Sequence, residues 1–329
     1  MEGLVDLDRL GPDAGPVTAP MARRLAAVDI GTNTLLLLVA EVGADGAVRA
    51  VRDECRFGRL GQGLDRSGRL ADQAVERSLA IAREYRGLLD AAAVDALAAV
   101  GTQALREAAN AADFLAPAEE ILGTPIEVVD GEREAALVYR SVAAAFPELA
   151  AGDLVVADVG GGSTEVIAGR GGVITSLMSL PIGAVRMSER HLHGDPPAAR
   201  EGRALVDDID AHLARLDPSL AGCRAALVGT AGTATTLAAV EQKLRVYAAD
   251  RVQGFRLSRA AIERQMARFL ELTVAEKRRL PGLEPERADV IAGGAAIYAR
   301  LAAHLDAAEM VTSDRGVRWG LIQELADRA

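Results

Sequence analysis

Two stretches of this chain follow one plan, and the recurrence restricts the fold more than any other feature. Residues 25–30 (LAAVDI) have the character of a buried strand, Gly31-Thr32-Asn33-Thr34 is a turn, and residues 35–41 (LLLLVAE) are a second apolar run. From Leu154 the plan restarts with LVVADV, then Gly160-Gly161-Gly162-Ser163, then the strand-like TEVIAG. Each first strand carries an aspartate beside its turn, Asp29 and Asp158. The pattern predicts a duplicated α/β architecture whose halves each open with an antiparallel hairpin. A length of 329 residues agrees, being long for one core and comfortable for two. Two such lobes leave a cleft between them, the usual place for a ligand, with the glycine turns face to face.

The remaining elements fit this frame. Val75, Leu79, Ala82 and Leu89 share a helical face, residues 96–100 read as a strand, and Asn110 is placed to cap a helix carrying Phe114 and Leu115. Residues 126–129 read as a short strand and 132–145 as a helix. In the second half, residues 176–180 continue the strands, and Leu205, Ile209, Leu213 and Leu216 mark a helix. Residues 225–228 form a strand that runs into Gly229-Thr230-Ala231-Gly232-Thr233, with a helix from about Ala234. Residues 259–304 read as mostly helical, broken at Pro281-Gly282 and loosened at Gly293-Gly294.

Bulk properties exclude several classes. No apolar run approaches the roughly 18 residues of a membrane span. Residues 1–22 lack the basic start and apolar centre of a signal peptide, so they read as a flexible extension, with Met21 an alternative start and a cytoplasmic location expected. Cys55 and Cys223 fit no metal spacing and read as reduced thiols. The net charge of −10 speaks against nucleic-acid binding driven by bulk charge, but not against an anion held locally. Only Lys243 and Lys277 are lysines; a GC-rich genome produces this bias, and arginine also suits bidentate phosphate contacts.

The glycine turns carry the chemistry. In DVGGGSTE, Gly160, Gly161 and Gly162 remove every side chain that would keep a ligand from the backbone, so N–H groups can meet phosphate oxygens. Ser163 and Thr164 add hydroxyls. Asp158 and Glu165 repel phosphate and make sense with a Mg²⁺ ion or a water between. Alone, such a turn is equally a tight hairpin; its repetition at Asp29, Gly31, Thr32 and Asn33 favours phosphate binding. Gly229 and Gly232, at a helix start, form a third candidate anion nest. Arg106, in GTQALR, is either a phosphate clamp or a surface ion-pair partner, and Glu132 and Glu134 sit in a first helical turn where carboxylates ordinarily complement the dipole. Arg52, Arg56, Arg59, Arg66 and Arg69 are either a track for a polyanion or a solvated basic loop.

Taken together, AAVDIGTNT (26–34), RLGQGLDRSGRL (59–70), GTQALREAAN (101–110), VVDGEREAALVY (128–139), VVADVGGGSTE (155–165), LVGTAGTATTL (227–237), RADVIAGGAAI (287–297) and SDRGVRWGLI (313–322) resemble the exopolyphosphatase / guanosine pentaphosphate phosphohydrolase family, within the actin–sugar kinase–heat-shock chaperone superfamily. The resemblance covers nearly everything after residue 22. It implies two ribonuclease-H-like domains around an active-site cleft: domain I over 23–138, domain II over 139–311, and a C-terminal helix, 312–329, packed back on domain I. It also implies the short form without further helical domains, and a possible homodimer. Of the residues, it implies Glu134 as general base, Arg106 as phosphate-binding arginine, and Asp158, Glu165 and Asp29 as Mg²⁺-side carboxylates. Asn33, Gly160, Gly161 and Ser163 correspond to the phosphate cradle.

The chain departs from the family at Leu36, where a basic residue is common, and at Ala136 and Ala231, which replace an arginine and a serine. The implied reaction is Mg²⁺-dependent hydrolysis of the terminal phosphoanhydride of inorganic polyphosphate. Guanosine pentaphosphate hydrolysis in the stringent response is the nearest alternative, and Leu36 tilts the reading towards the polymer. A kinase, or a non-catalytic alarmone- or polyphosphate-binding protein, is the more distant one.

Overall fold

The computed structural model describes residues 23–44, 46–220 and 225–328, so the expected N-terminal extension and Cys223 lie outside the described residues. Strands β1 (Arg23–Ile30), β2 (Leu35–Val42), β3 (Val48–Arg56), β4 (Ala96–Gly101) and β5 (Ile126–Val128) form one sheet in the order β3-β2-β1-β4-β5. Strands β6 (Asp153–Val159), β7 (Thr164–Arg170), β8 (Val173–Leu180), β9 (Ala226–Thr230), β10 (Arg256–Ser258) and β11 (Glu309–Thr312) form the other, in the order β10-β11-β9-β6-β7-β8. Read outwards from β8, the second sheet repeats the first and adds β10 at the edge. In both, the first two pairs are antiparallel and the next two parallel. The expected fold class, α/β with two ribonuclease-H-like halves, is the one found.

The two halves share a core. Strand side chains alternate faces. Ala26, Val28 and Ile30 pack outward under the helices Asp72–Ala92 and Ala112–Leu122, while Leu25 and Ala27 face the second sheet. In β6, Val155 and Ala157 pack outward and Leu154 and Val156 face the first sheet. Between the sheets lie two helices. Gly131–Ala145, which follows β5, packs on β6, β7 and β8 of the other half. Val317–Asp327, which follows β11, packs on β1, β2 and β4. Each half thus sends its last helix onto its neighbour's sheet. Gly320 makes their crossing close, because a Cβ there would overlap the Leu137 carbonyl. Arg133 fastens the two helices through both Glu324 oxygens, at 2.5 and 2.6 Å, and Arg140 pairs with Asp327. The boundary expected after residue 138 falls inside the continuous helix Gly131–Ala145. No helix among the described residues is long and apolar enough to cross a membrane.

Two local expectations need correction. Asn110 is not a helix cap: its amide binds both the N–H and the C=O of Leu70, tying the 68–70 loop down. Gly293 and Gly294 do not loosen a helix; they lie within Ile291–His304, where a Cβ would crowd Ser188 and Thr233, so they allow close helix packing. The helix expected from about Ala234 begins slightly earlier, at Ala231.

Candidate active site

Strand parity places the carboxylates. Asp29 has the parity of Leu25 and Ala27, and Asp158 that of Leu154 and Val156, so both point between the sheets at the strand ends. Across the second hairpin Asp158 stands opposite Glu165, and in the first Asp29 stands opposite Leu36. The two hairpins superimpose in design, with Gly31 N–H donating to Thr34 O at 2.9 Å and Gly160 N–H to Ser163 O at 3.0 Å. Leu36 therefore occupies the place that Glu165 holds in the other half.

The backbone of each turn is braced from behind. The carbonyls of Thr32 and Asn33 accept from the N–H groups of Gly61 and Arg59. Those of Gly160 and Gly161 accept from Ala184, Val185 and Arg186 at the start of the helix Ala184–His191, and that of Gly162 accepts from the Arg186 side chain. A planar trans peptide turns each following N–H the opposite way. The N–H groups of Asn33, Thr34, Gly161, Gly162 and Ser163 thus point away from the bracing segments, and among the described residues none has a hydrogen-bond partner. These are donors waiting for an acceptor. The turns also touch: a Cβ on Gly161 would press on Thr32, and one on Gly162 would overlap the Gln103 amide, which accepts from Thr32 Oγ1 at 2.8 Å.

Glu134 reaches the same place from the helix Gly131–Ala145. Asp130 caps that helix, accepting from Arg133 N–H at 2.8 Å. Glu132 is exposed and serves the dipole, but Glu134 is turned inward and 7% exposed. Arg106 lies beside it, donating to Val129 O at 2.5 Å and lying 3.4 Å from Glu134 Oε2. It is thus a part-buried neighbour of Glu134 rather than a partner in a surface ion pair.

The electrostatics follow from crowding. Burial, then the charges of Glu165, Asp158 and Asp29, holds the Glu134 carboxyl well above its ordinary range, and Arg106 opposes the shift. Burial and the charges of Glu165 and Asp29 raise Asp158 likewise, against Arg318. Asp29 is pushed up to about 6 by burial, with Arg318 pulling it down. Glu165, fully buried, is raised by burial although Ser179 donates to its Oε1 at 2.7 Å. Among the described residues, Asp29 Oδ1 and Glu165 Oε2 are buried with no hydrogen bond that meets ordinary geometry, although the Ser163 hydroxyl also lies close enough to favour the Glu165 carboxylate. Such hard, orphaned oxygens fit a Mg²⁺ ion. No three acidic, His or Cys side chains among the described residues converge as a ligand cluster. A cation here would take few carboxylates directly and complete its shell with water and phosphate oxygens, which is the habit of Mg²⁺.

The third turn is different. Gly229 lies within β9 on the outward face, where a Cβ would overlap Met310 and crowd Tyr298. Thr230, next along, stands in register with Asp158 and is the residue that faces the cleft side. Gly232 abuts the Arg287 guanidinium, which stacks 5.1 Å from the Phe57 ring. The structure thus leaves Gly229 out of the site. Of the arginines read as either a polyanion track or a solvated basic loop, Arg52 and Arg56 pair with Glu54, Arg56 also with Glu84, and Arg59 with Asp289. Sequence reasoning missed Gln103, Ser179, Arg186 and Arg318. Ser179 is opposite Glu165 in the β7–β8 register, and Arg318 makes two 3.0 Å bonds to Asp53 beside Asp29.

Unpaired backbone donors beside buried carboxylates and an arginine suit a phosphate-bearing ligand. Comparison with known proteins narrows the class: the chain belongs to the Ppx/GppA phosphatase family, whose model matches residues 38–329. It is 37% identical over 297 residues to exopolyphosphatase 2 of Mycobacterium tuberculosis, covering 86% of this chain and 91% of that protein. An exopolyphosphatase-like protein of known structure matches with a TM-score of 0.87 at 33% identity, covering 93% of this chain and 98% of that one. The structure of an exopolyphosphatase from Cytophaga hutchinsonii matches with a TM-score of 0.85 at 26% identity, covering 93% and 99%.

Proposed function

We propose that the chain is an exopolyphosphatase that removes the terminal phosphate of inorganic polyphosphate with Mg²⁺ bound beside Asp158, Glu165 and Asp29. The observation that carries this is Glu134, a buried carboxylate of raised basicity, set against Arg106 and close to Asp29, Asp158 and Glu165, which flank two turns whose backbone donors have no partner among the described residues. The N–H groups of Gly161, Gly162, Ser163 and Asn33, with Arg106, hold the oxygens of the terminal phosphoryl group. Glu134 orients a water and takes its proton as the water oxygen attacks phosphorus in line. The bridging P–O bond breaks, the shortened chain keeps the bridging oxygen and its electron pair, and orthophosphate leaves. When bound, Mg²⁺ neutralises charge on the transferring and leaving phosphates and on the crowded carboxylates.

The test is orthophosphate release from short polyphosphate, long polyphosphate and guanosine pentaphosphate, each with Mg²⁺. Release from the polymers that falls about 10²–10⁴-fold in Glu134→Gln supports the reading. Release mainly from the nucleotide moves the same residues to alarmone hydrolysis. Release from none, or release unaltered by Glu134→Gln, overturns it.

A further inference from the structure

Arg186 joins three things at once. It lies early in the helix Ala184–His191, with its side chain only 11% exposed. Its Nε donates to Gly162 O at 2.8 Å, in the phosphate cradle of the second half. Its Nη1 donates to Asp65 at 2.8 Å and its Nη2 to Glu107 at 2.6 Å, both in the first half. Glu107 directly follows Arg106, and Asp65 lies in the short helix Leu64–Ser67. One turn further along, Arg190 also pairs with Asp65 and reaches Asp208, but touches no cradle atom.

We infer that Arg186 is a positioning residue that makes the shape of the cradle depend on closure of the two halves. The inference rests on the reading of that cradle as a phosphate site. The bond from Nε fixes the Gly162 carbonyl, and the planar peptide then fixes the Ser163 N–H. The planar guanidinium is itself held by Asp65 and Glu107, so three fixed partners define its position. Separating the halves removes two of those partners and frees the side chain to leave the third. The Ser163 donor is then oriented only while the halves are shut. Closure by this route does more than exclude water, since it sets a group that holds the reacting phosphate.

Arg190 supplies the control, because Arg190→Ala removes interlobe ion pairs without touching the cradle. The experiment compares Arg186→Ala, Arg186→Lys and Arg190→Ala for kcat, KM, melting temperature and the Kd for inorganic phosphate. Arg186→Ala is expected to lose about tenfold or more in kcat, the scale of a small misplacement, while Arg190→Ala keeps kcat within about threefold. Arg186→Lys keeps the charge but cannot span three partners, so it should melt with the wild type and still lose kcat. Should Arg186→Ala fail to fold, the lysine variant carries the comparison. Equal kcat in the Arg186 and Arg190 variants overturns the inference. If the wild type releases phosphate from no substrate, the functional reading fails and inorganic phosphate decides: a Kd weakened about tenfold by the Arg186 variants alone supports the inference, and equal Kd values overturn it.

Discussion

Gly183 is the most economical place to disturb the cradle without touching it chemically. It precedes the helix Ala184–His191 with φ −151° and ψ 165°, an extended conformation open to any residue, so alanine brings no backbone strain. The cost is contact. A Cβ would lie 2.5 Å from Gly161 C, Gly161 O and Gly162 N. Those are backbone atoms of the glycine turn and cannot rotate aside as a side chain would. Ordinary contact begins at 3.4 Å, so turn and helix must part by about 0.9 Å. A displacement near 1 Å is enough to cost about 10²-fold in rate. Overpacking of this size costs about 1–3 kcal/mol of stability, within the reserve of about 5–15 kcal/mol of an ordinary protein. Gly183→Ala should therefore fold, melt lower, and lose about 10²-fold in kcat, measured as orthophosphate release at saturating polyphosphate and Mg²⁺. Gly87, in the helix Asp72–Ala92 with nothing within 4 Å of an added Cβ, is the matched control, and Gly87→Ala should keep full activity. A Gly183→Ala enzyme with near-normal kcat would refute the assignment of the phosphate site to this turn.

Other predictions are simpler. Arg106→Ala should raise KM about 10–100-fold, the range for losing a hydrogen bond to a charged group; unchanged KM and kcat would make it structural. Glu324 is held below its ordinary 4.5 by Arg133, so its ion pair stabilises fully above 4.5 and is lost as pH falls through the lowered value. Glu324→Gln should cost about 1 kcal/mol at pH 7, with the melting-temperature gap to the wild type closing in acid; a gap independent of pH would remove the pair from the account. Mg²⁺ at a hundred times its Kd should stabilise the protein by about 2.7 kcal/mol, an effect that EDTA reverses and Asp158→Asn diminishes. A melting temperature indifferent to Mg²⁺ would mean the carboxylates hold no cation.

The duplicated halves were legible because a strand, a glycine turn and a second strand carry their period and punctuation in consecutive residues. That Asp29, Asp158 and Glu165 lie at the strand ends beside the turns was legible for the same reason. Glu134 was placed by the family motif alone, because a glutamate in a first helical turn has a sufficient local explanation; what distinguishes it from Glu132 is burial. Gly229 was misplaced by one residue, which in a strand reverses the face. Ser179 depends on the β7–β8 register, and Arg186 depends on contacts more than a hundred residues away at Asp65. No local pattern encodes such meetings. Gly293 and Gly294 show the same limit, for their reason lies in the neighbouring helix rather than in their own.

The exchange of helices between the sheets bears on how the molecule can move. A pair of domains joined by a loop swings on it. Here the connections are themselves packed helices, crossing at Gly320 and fastened by Arg133 and Glu324. Packing of this kind suits shear, one helix sliding on the other by small steps that preserve packing. Such a joint favours a short stroke over a wide gape. The contacts of Arg186 with Asp65 and Glu107, at 2.8 and 2.6 Å, span the two halves and so lie on the path of any such motion. The helices that join the halves are thus also the parts that limit how far the halves can move apart.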